Sequence, residues 1–203
     1  MNPEERIIAG ADELFSRYGL KSVTMDDIAR HLSMSKKTIY QFFSDKEEVV
    51  LAWATVELTK HTKMCDDVAS SSKNAVEEIM HLMQYFSKIF SRLNPNLFYD
   101  MQKYYPKAWS IYKEFKTKSA TIQIIRNLEK GKEEGLYRPE LNNKILARMR
   151  MEQVEMAFNP GFFPGDVFSM VEVQLQLLDH FMHGICTIKG HKLINKYRQI
   201  KEE

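Results

Sequence analysis

Residues 24–46, TMDDIARHLSMSKKTIYQFFSDK, constrain this chain more than any other stretch. They hold two short helical patterns joined by a turn of three or four residues. Helices joined so tightly must cross steeply, so the crossing needs a small residue and apolar plugs. Ala29 supplies the small residue, and Ile28, Leu32, Met34 and Ile39 supply the plugs. Such a pair offers the N-terminal half of its second helix to a nucleic-acid groove. The exposed positions of that helix are Lys36, Lys37, Thr38, Tyr40 and Gln41. Lysine suits phosphates or guanine edges, glutamine suits adenine, and hydroxyls suit phosphate oxygens. Lys46 falls in the first turn of the next helix, where free backbone N–H groups also favour a phosphate.

Charge sharpens this reading. The 203 residues carry 29 Lys+Arg against 27 Asp+Glu, a net charge of +2, which excludes a uniformly basic coat. Residues 1–60 are net −2, yet residues 28–46 hold Arg30, Lys36, Lys37 and Lys46 against Asp45 alone. Basic character is thus focused on the proposed reading helix, where charges close to the phosphate track release counterions.

Helical signals continue along the whole chain. Ile7, Ile8, Ala11, Leu14, Phe15 and Tyr18 give a first helix one apolar face, with Pro3 at its start and Gly19 at its end. Thr24 with Asp27 forms a capping-box start for the second helix, and Ser35 caps the third. Ser44 with Glu47 opens a fourth, which runs to about residue 65. Asp66–Lys73 reads as a loop. Helices are then expected over 74–91, 98–105, 107–134, 142–158, 166–188 and 190–201, separated by Asn, Pro and Gly. With only 8 Gly and 6 Pro, no strand-type alternation and no internal repeat, the expected fold is all-α.

Several function classes fall away. Cys65 and Cys186 form neither a disulfide framework nor a zinc knuckle, which favours a reducing interior. The N-terminus is acidic and amphipathic, unlike a signal peptide, and no apolar run reaches the ~18 residues of a membrane span. A cytoplasmic protein with no membrane partner is expected. There is no phosphate-binding loop, dinucleotide fingerprint or nucleophile elbow, so no enzyme and no cofactor is expected. Glu78-x-x-His81 lacks the second copy a di-iron bundle needs. Asp179, His180 and His183 read as structural residues on a buried helix rather than metal ligands.

Residues 3–60 resemble the DNA-binding domain of the TetR family of bacterial transcriptional repressors. The resemblance rests on four pieces at joint spacing: Phe15–Gly19, Thr24–Ala29, Ser35–Tyr40 and Phe43–Glu47. Farther on, the turn Glu134–Pro139 is of a kind frequent in that family. The resemblance implies an N-terminal three-helix helix-turn-helix domain, placed at residues 1–63, and a C-terminal helical bundle, 64–203, for effector binding and dimerisation. It also implies a homodimer on a near-palindromic double-stranded DNA operator, with the helix over 46–65 acting as a pendulum. DNA contact is carried onto Thr24, Ser35, Lys36, Lys37, Thr38, Tyr40, Gln41 and Lys46. Two positions depart from the family pattern. Ser33 stands where Gly is usual, so a left-handed turn there costs strain. Phe42 stands where Tyr or His is frequent, which removes a phosphate donor.

The C-terminal part carries its own signals. Phe168, Val171, Leu175, Leu178, Met182 and Ile185 form one apolar stripe, and Met170, Val173, Leu177 and Phe181 an adjacent one. A helix apolar on two faces is buried on both, either between two subunits or at the centre of one. Ile145, Met149 and Met156 repeat the pattern more weakly. Residues 74–134 are rich in Met, Phe, Tyr and Trp, which suits an adaptable pocket for a small hydrophobic effector, although plain core packing explains the same spacing. Met101, Tyr104 and Trp109 are its candidate lining. The expected protein is therefore a dimeric repressor released by an effector. The alternatives are a DNA-binding protein of the same type without an effector and, well behind it, a helical-bundle metal protein or enzyme.

Overall fold

The computed structural model describes residues 2–199. Among them the chain forms eleven α-helices and no strand. These are α1 (Pro3–Tyr18), α2 (Met25–His31), α3 (Lys36–Tyr40), α4 (Lys46–Ser71), α5 (Ala75–Phe90) and α6 (Leu97–Tyr104), then α7 (Pro106–Phe115), α8 (Thr121–Glu133), α9 (Asn143–Ala157), α10 (Met170–Ile185) and α11 (Ile188–Arg198). A π-helical turn, Lys116–Ala120, separates α7 from α8. The all-α reading of the sequence holds.

Local sequence sets most helix ends. Asn2 caps α1 in a capping box with Glu5, and Pro3 takes the first helical position, where a missing N–H costs nothing. Gly19 ends α1 at φ 81° and ψ 163°, a conformation closed to most L-residues. Thr24 and Asp27 form the expected box on α2. The fourth cap is shifted by one residue. Asp45, rather than Ser44, caps α4 through the Glu48 N–H (3.0 Å), and the Glu48 carboxylate reaches back to the Ser44 N–H (2.7 Å).

The chain divides into two compact units, Met1–Lys60 with Arg92–Phe115, and His61–Ser91 with Lys116–Glu203. In the first, Ile7, Phe15, Leu20, Ile28, Ile39, Val49 and Val50 are fully enclosed. Trp53 packs edge-on to Phe15 at 5.6 Å, and its indole N–H donates to Asp12 at 2.8 Å, so its one polar atom is satisfied. Gly10 allows α1 to approach the end of α2: a Cβ there would lie 2.7 Å from Leu32 Cδ2. Residues 92–115 join this unit in space. The buried Asp100 carboxylate accepts from the Lys21 N–H at 2.9 Å, and the Tyr105 hydroxyl donates to the Leu20 carbonyl at 3.4 Å.

The second unit has its core at Val76, Leu128, Tyr137, Met182 and Ile194. The buried Tyr137 hydroxyl lies 3.1 Å from both the Ala75 carbonyl and Asn127 Oδ1, while Asn127 Nδ2 donates to the same carbonyl. Gly131 lies directly beneath the ring, where any Cβ would fall inside it.

Three stretches differ from the sequence expectation. Asp66–Lys73 is not a loop: α4 continues to Ser71, leaving only residues 72–74 outside a helix. There Ser70, Ser71 and Ser72 turn their hydroxyls back onto the carbonyls of Asp66, Asp67 and Val68, and α8 holds Asp66 through Arg126 at 3.0 Å. The helix expected over 107–134 is interrupted by the π-helical turn. The helix expected over 166–188 begins at Met170, because the N–H groups of Val167 and Phe168 both turn back to the Pro164 carbonyl. Positions 200 and 201 of the helix expected over 190–201 lie outside the described residues.

Candidate nucleic-acid interface

The turn between α2 and α3 closes as a Schellman motif. The Met34 N–H donates to the Ala29 carbonyl at 2.9 Å and the Ser33 N–H to the Arg30 carbonyl at 3.2 Å. The residue between the helices must then adopt a left-handed conformation, and Ser33 does so at φ 53°. With Ala29 and Ile39 buried and Leu32 and Met34 partly buried around them, the crossing is locked from within.

This geometry presents α3. Ser35 caps it, accepting from the Thr38 N–H at 3.0 Å, and the two hydroxyls share a further hydrogen bond of 2.8 Å. Lys36, Lys37, Tyr40 and Gln41 are exposed on the helix and at its C-terminal end. Six of the eight sequence candidates, Ser35, Lys36, Lys37, Thr38, Tyr40 and Gln41, are therefore gathered on one short segment. The other two sit elsewhere. Thr24 caps α2 and gives its hydroxyl to Asp27 at 2.6 Å; that bond holds the Asp27 carboxyl below its ordinary range. Lys46, at the start of α4, donates to the Lys21 carbonyl at 3.3 Å and lies 5.6 Å from the Tyr105 ring centre. Partial burial lowers the Lys46 pKa, and Asp100 and Asp27 oppose that shift.

One residue of this surface was missed by the sequence window. Asp26 on α2 pairs with Lys36, Nζ to Oδ2, at 2.5 Å. It lies outside residues 28–46 in sequence and beside them in space. Phe42, in the turn after α3, is 41% exposed, so its ring is not consumed in the core.

Two of the three effector candidates share one cluster, with Trp109 packed against the core that contains Met101, and Tyr104 lies outside it. Met101 is buried in the core of the first unit, while Tyr104 holds its ring 5.3 Å from both the Lys21 and Lys103 ammonium groups. Trp109 stacks on Tyr112 at 5.0 Å. In the second unit, the Asp179 carboxylate beside His183 is taken by Arg198 at 2.5 Å, and the buried Glu78 lies 3.7 Å from Lys130. Burial pushes the Glu78 carboxyl up and the Cys65 and Cys186 thiols to about 12. Among the described residues no group of His, Cys, Asp and Glu is placed to hold a metal ion, and no helix is long and apolar enough to cross a membrane.

A capped reading helix, set by a Schellman turn and bearing two exposed lysines, defines a helix-turn-helix DNA-binding protein. Comparison with known proteins narrows this class. Residues 7–53 match the family described as bacterial regulatory proteins, tetR family. The chain is 24% identical over 183 residues, 90% of its own length and 95% of the other's, to the uncharacterized HTH-type transcriptional regulator YvaF of Bacillus subtilis (strain 168). Its fold is shared with a transcriptional regulator from Saccharomonospora viridis solved in complex with choline (TM-score 0.71, 18% identity, 91% of this chain and 97% of that one). It is shared too with Thermus thermophilus FadR, a TetR-family transcriptional repressor solved with lauroyl-CoA (TM-score 0.59, 20% identity, 91% and 95%). Residues 7–53 thus form a DNA-binding segment of the tetR-family kind, and the chain is a transcriptional regulator.

Proposed function

We propose that this regulator is a repressor that binds a near-palindromic operator as a homodimer and is released by a small effector. The α2–α3 geometry, with Lys36, Lys37, Tyr40 and Gln41 exposed together, carries the reading. Lys37 and Gln41 are the base-edge candidates, while Ser35, Thr38, Lys36 and Thr24 suit backbone phosphates. Lys46 positions the loop at Lys21 as well as offering charge. Cytoplasmic residence follows from this role.

A dimer is supported by α9, where Ile145 is 65% exposed and Met149 41%. Apolar side chains spaced one turn apart and left in water mark a surface that a second copy covers. By contrast, α10 already spends Leu178, Phe181, Met182 and Ile185 on the core of its own unit. In a dimer the two reading helices must stand about 34–36 Å apart to enter successive major grooves. A ligand that binds better at another spacing shifts the population and releases the DNA. Effector control is supported by the choline and lauroyl-CoA of the two structures above. Those ligands differ in charge and size, so they identify no ligand for this chain.

The test is fluorescence anisotropy on DNA from the promoter beside its own gene, with light scattering to count subunits. Binding as a dimer is expected, and Lys36→Ala/Lys37→Ala should weaken it at least tenfold. Absence of binding to any fragment at low salt, or no effect of the double substitution, sinks the proposal. Ile145→Glu should yield monomers; an intact dimer would place the interface elsewhere.

A further inference from the structure

Arg150, on α9, lies in the interior of the second unit and has no counter-ion among the described residues. It is 8% exposed, and its Nη1 has no hydrogen-bond partner among the described residues. The acidic side chains nearest in sequence are engaged elsewhere. Glu152 and Glu155 pair with Lys116 at 3.0 and 2.8 Å, and Glu152 also with Arg148 at 2.7 Å. A guanidinium stays charged under all ordinary conditions, and burying it uncompensated is among the costliest arrangements a core can hold. Burial alone lowers its pKa to about 10, still far above neutrality.

The seam between α9 and α10 supplies a second, independent sign of an unfilled polar place. Gln174, on α10, is 2% exposed and donates to the carbonyl of Val154, one turn beyond Arg150. Its own Oε1 is buried with no hydrogen-bond partner among the described residues, as is Oε1 of Gln153. Buried donors and acceptors left open together are rare in native folds, since each costs the full desolvation of its group. Phe158, the residue just after α9, packs its ring edge-on against Phe90 at 5.5 Å, and Phe90 stacks on Phe86 at 5.7 Å.

We propose that Arg150 anchors a ligand site in the second unit, and that the ligand is a small organic oxyanion, a carboxylate or phosphate monoester, received at the α9–α10 seam. The guanidinium fork meets such a group with two parallel N–H···O bonds. Gln174 Oε1 accepts from a hydroxyl or amide on the same molecule. The site rests on the effector reading above and gives that effector its charge.

The test is thermal unfolding of the full chain with about 10 mM benzoate, octanoate, phenyl phosphate or inorganic phosphate, against benzamide and octanamide. At least one oxyanion is expected to raise Tm by about 3 °C or more while the amides do not. The responding arm separates carboxylate from phosphate. Arg150→Met should abolish the rise, and Arg150→Lys should keep a smaller one. If Arg150→Met does not fold, Arg150→Lys carries the test, and an unchanged response in it overturns the site. The site also fails if no oxyanion acts, if the amides act equally, or if Arg150→Met keeps the response. Conversion of a wild-type dimer to monomers by Arg150→Met would assign the guanidinium to the second copy, and likewise overturns it. An oxyanion that binds through Arg150 without changing DNA affinity leaves the site standing and refutes the effector reading alone.

Discussion

The Lys36 ammonium lies 2.5 Å from the Asp26 carboxylate, so the first cation of the reading helix is already held by its own domain. Both side chains are substantially exposed, at 63% and 46%. An ion pair of that kind contributes at most about 1 kcal/mol, so phosphate can replace it at little cost. The pair aims Lys36 before DNA arrives and also subtracts from the local positive field.

Asp26→Asn should therefore tighten DNA binding by about two- to fivefold at low salt, with the gain shrinking as salt rises. Anisotropy titrations at two salt concentrations check this. Weaker binding in the variant would show that Asp26 acts by aiming Lys36 rather than by opposing the DNA.

Ser33 holds φ 53° because the Schellman turn requires a left-handed residue there. Glycine adopts that conformation without the side-chain clash, against a larger entropy loss on folding. Ser33→Gly should stabilise the first unit by about 0.5–1 kcal/mol, read as a higher denaturant midpoint at unchanged slope. A lower midpoint would mean that the serine side chain contributes more than the strain it causes.

Tyr137 joins Asn127 and the Ala75 carbonyl inside the second unit. Removing its hydroxyl leaves buried Asn127 Oδ1 without that partner, so Tyr137→Phe should cost about 1–3 kcal/mol. Gly131→Ala, which forces a methyl group into the Tyr137 ring, should cost more and is expected to impair folding. Urea unfolding of the two variants orders them, and equal stability would refute the packing argument.

His61 stacks on Phe86 at 5.1 Å, and burial lowers its pKa to about 4. A lowered folded pKa means that the unfolded chain takes up this proton first. The stability contribution is complete above about pH 6.5 and declines as pH falls towards 4. The loss attributable to this one group is up to about 3 kcal/mol. His61→Phe should flatten the stability curve between pH 6.5 and 4 by that amount, measured by denaturant midpoints across the range. Parallel curves for the two proteins would refute it.

The sequence was most legible where one helix turn decides the structure. Thr24 and Ser35 cap the helices next to them, and Ala29 and Ile39 fill a crossing only a few residues wide. Legibility failed at Asp66–Lys73, where a polar, serine-containing run reads as a loop. Its hydroxyls bond back along the helix, and Arg126, sixty residues away in sequence, holds Asp66. At Met101, Tyr104 and Trp109 the sequence marks apolar helix faces without saying what those faces meet.

The sequence by itself determined the helical class, the reading helix and its caps, because these depend on contacts within a few residues. Only the tertiary structure decided that Asp26 restrains Lys36, that residues 92–115 pack with the N-terminal unit, and that Arg150 is enclosed with no counter-ion among the described residues. Each of those depends on which distant helix arrives at a given face. Hydrophobic burial is non-directional, so a local apolar pattern fixes that a face is covered but not by what.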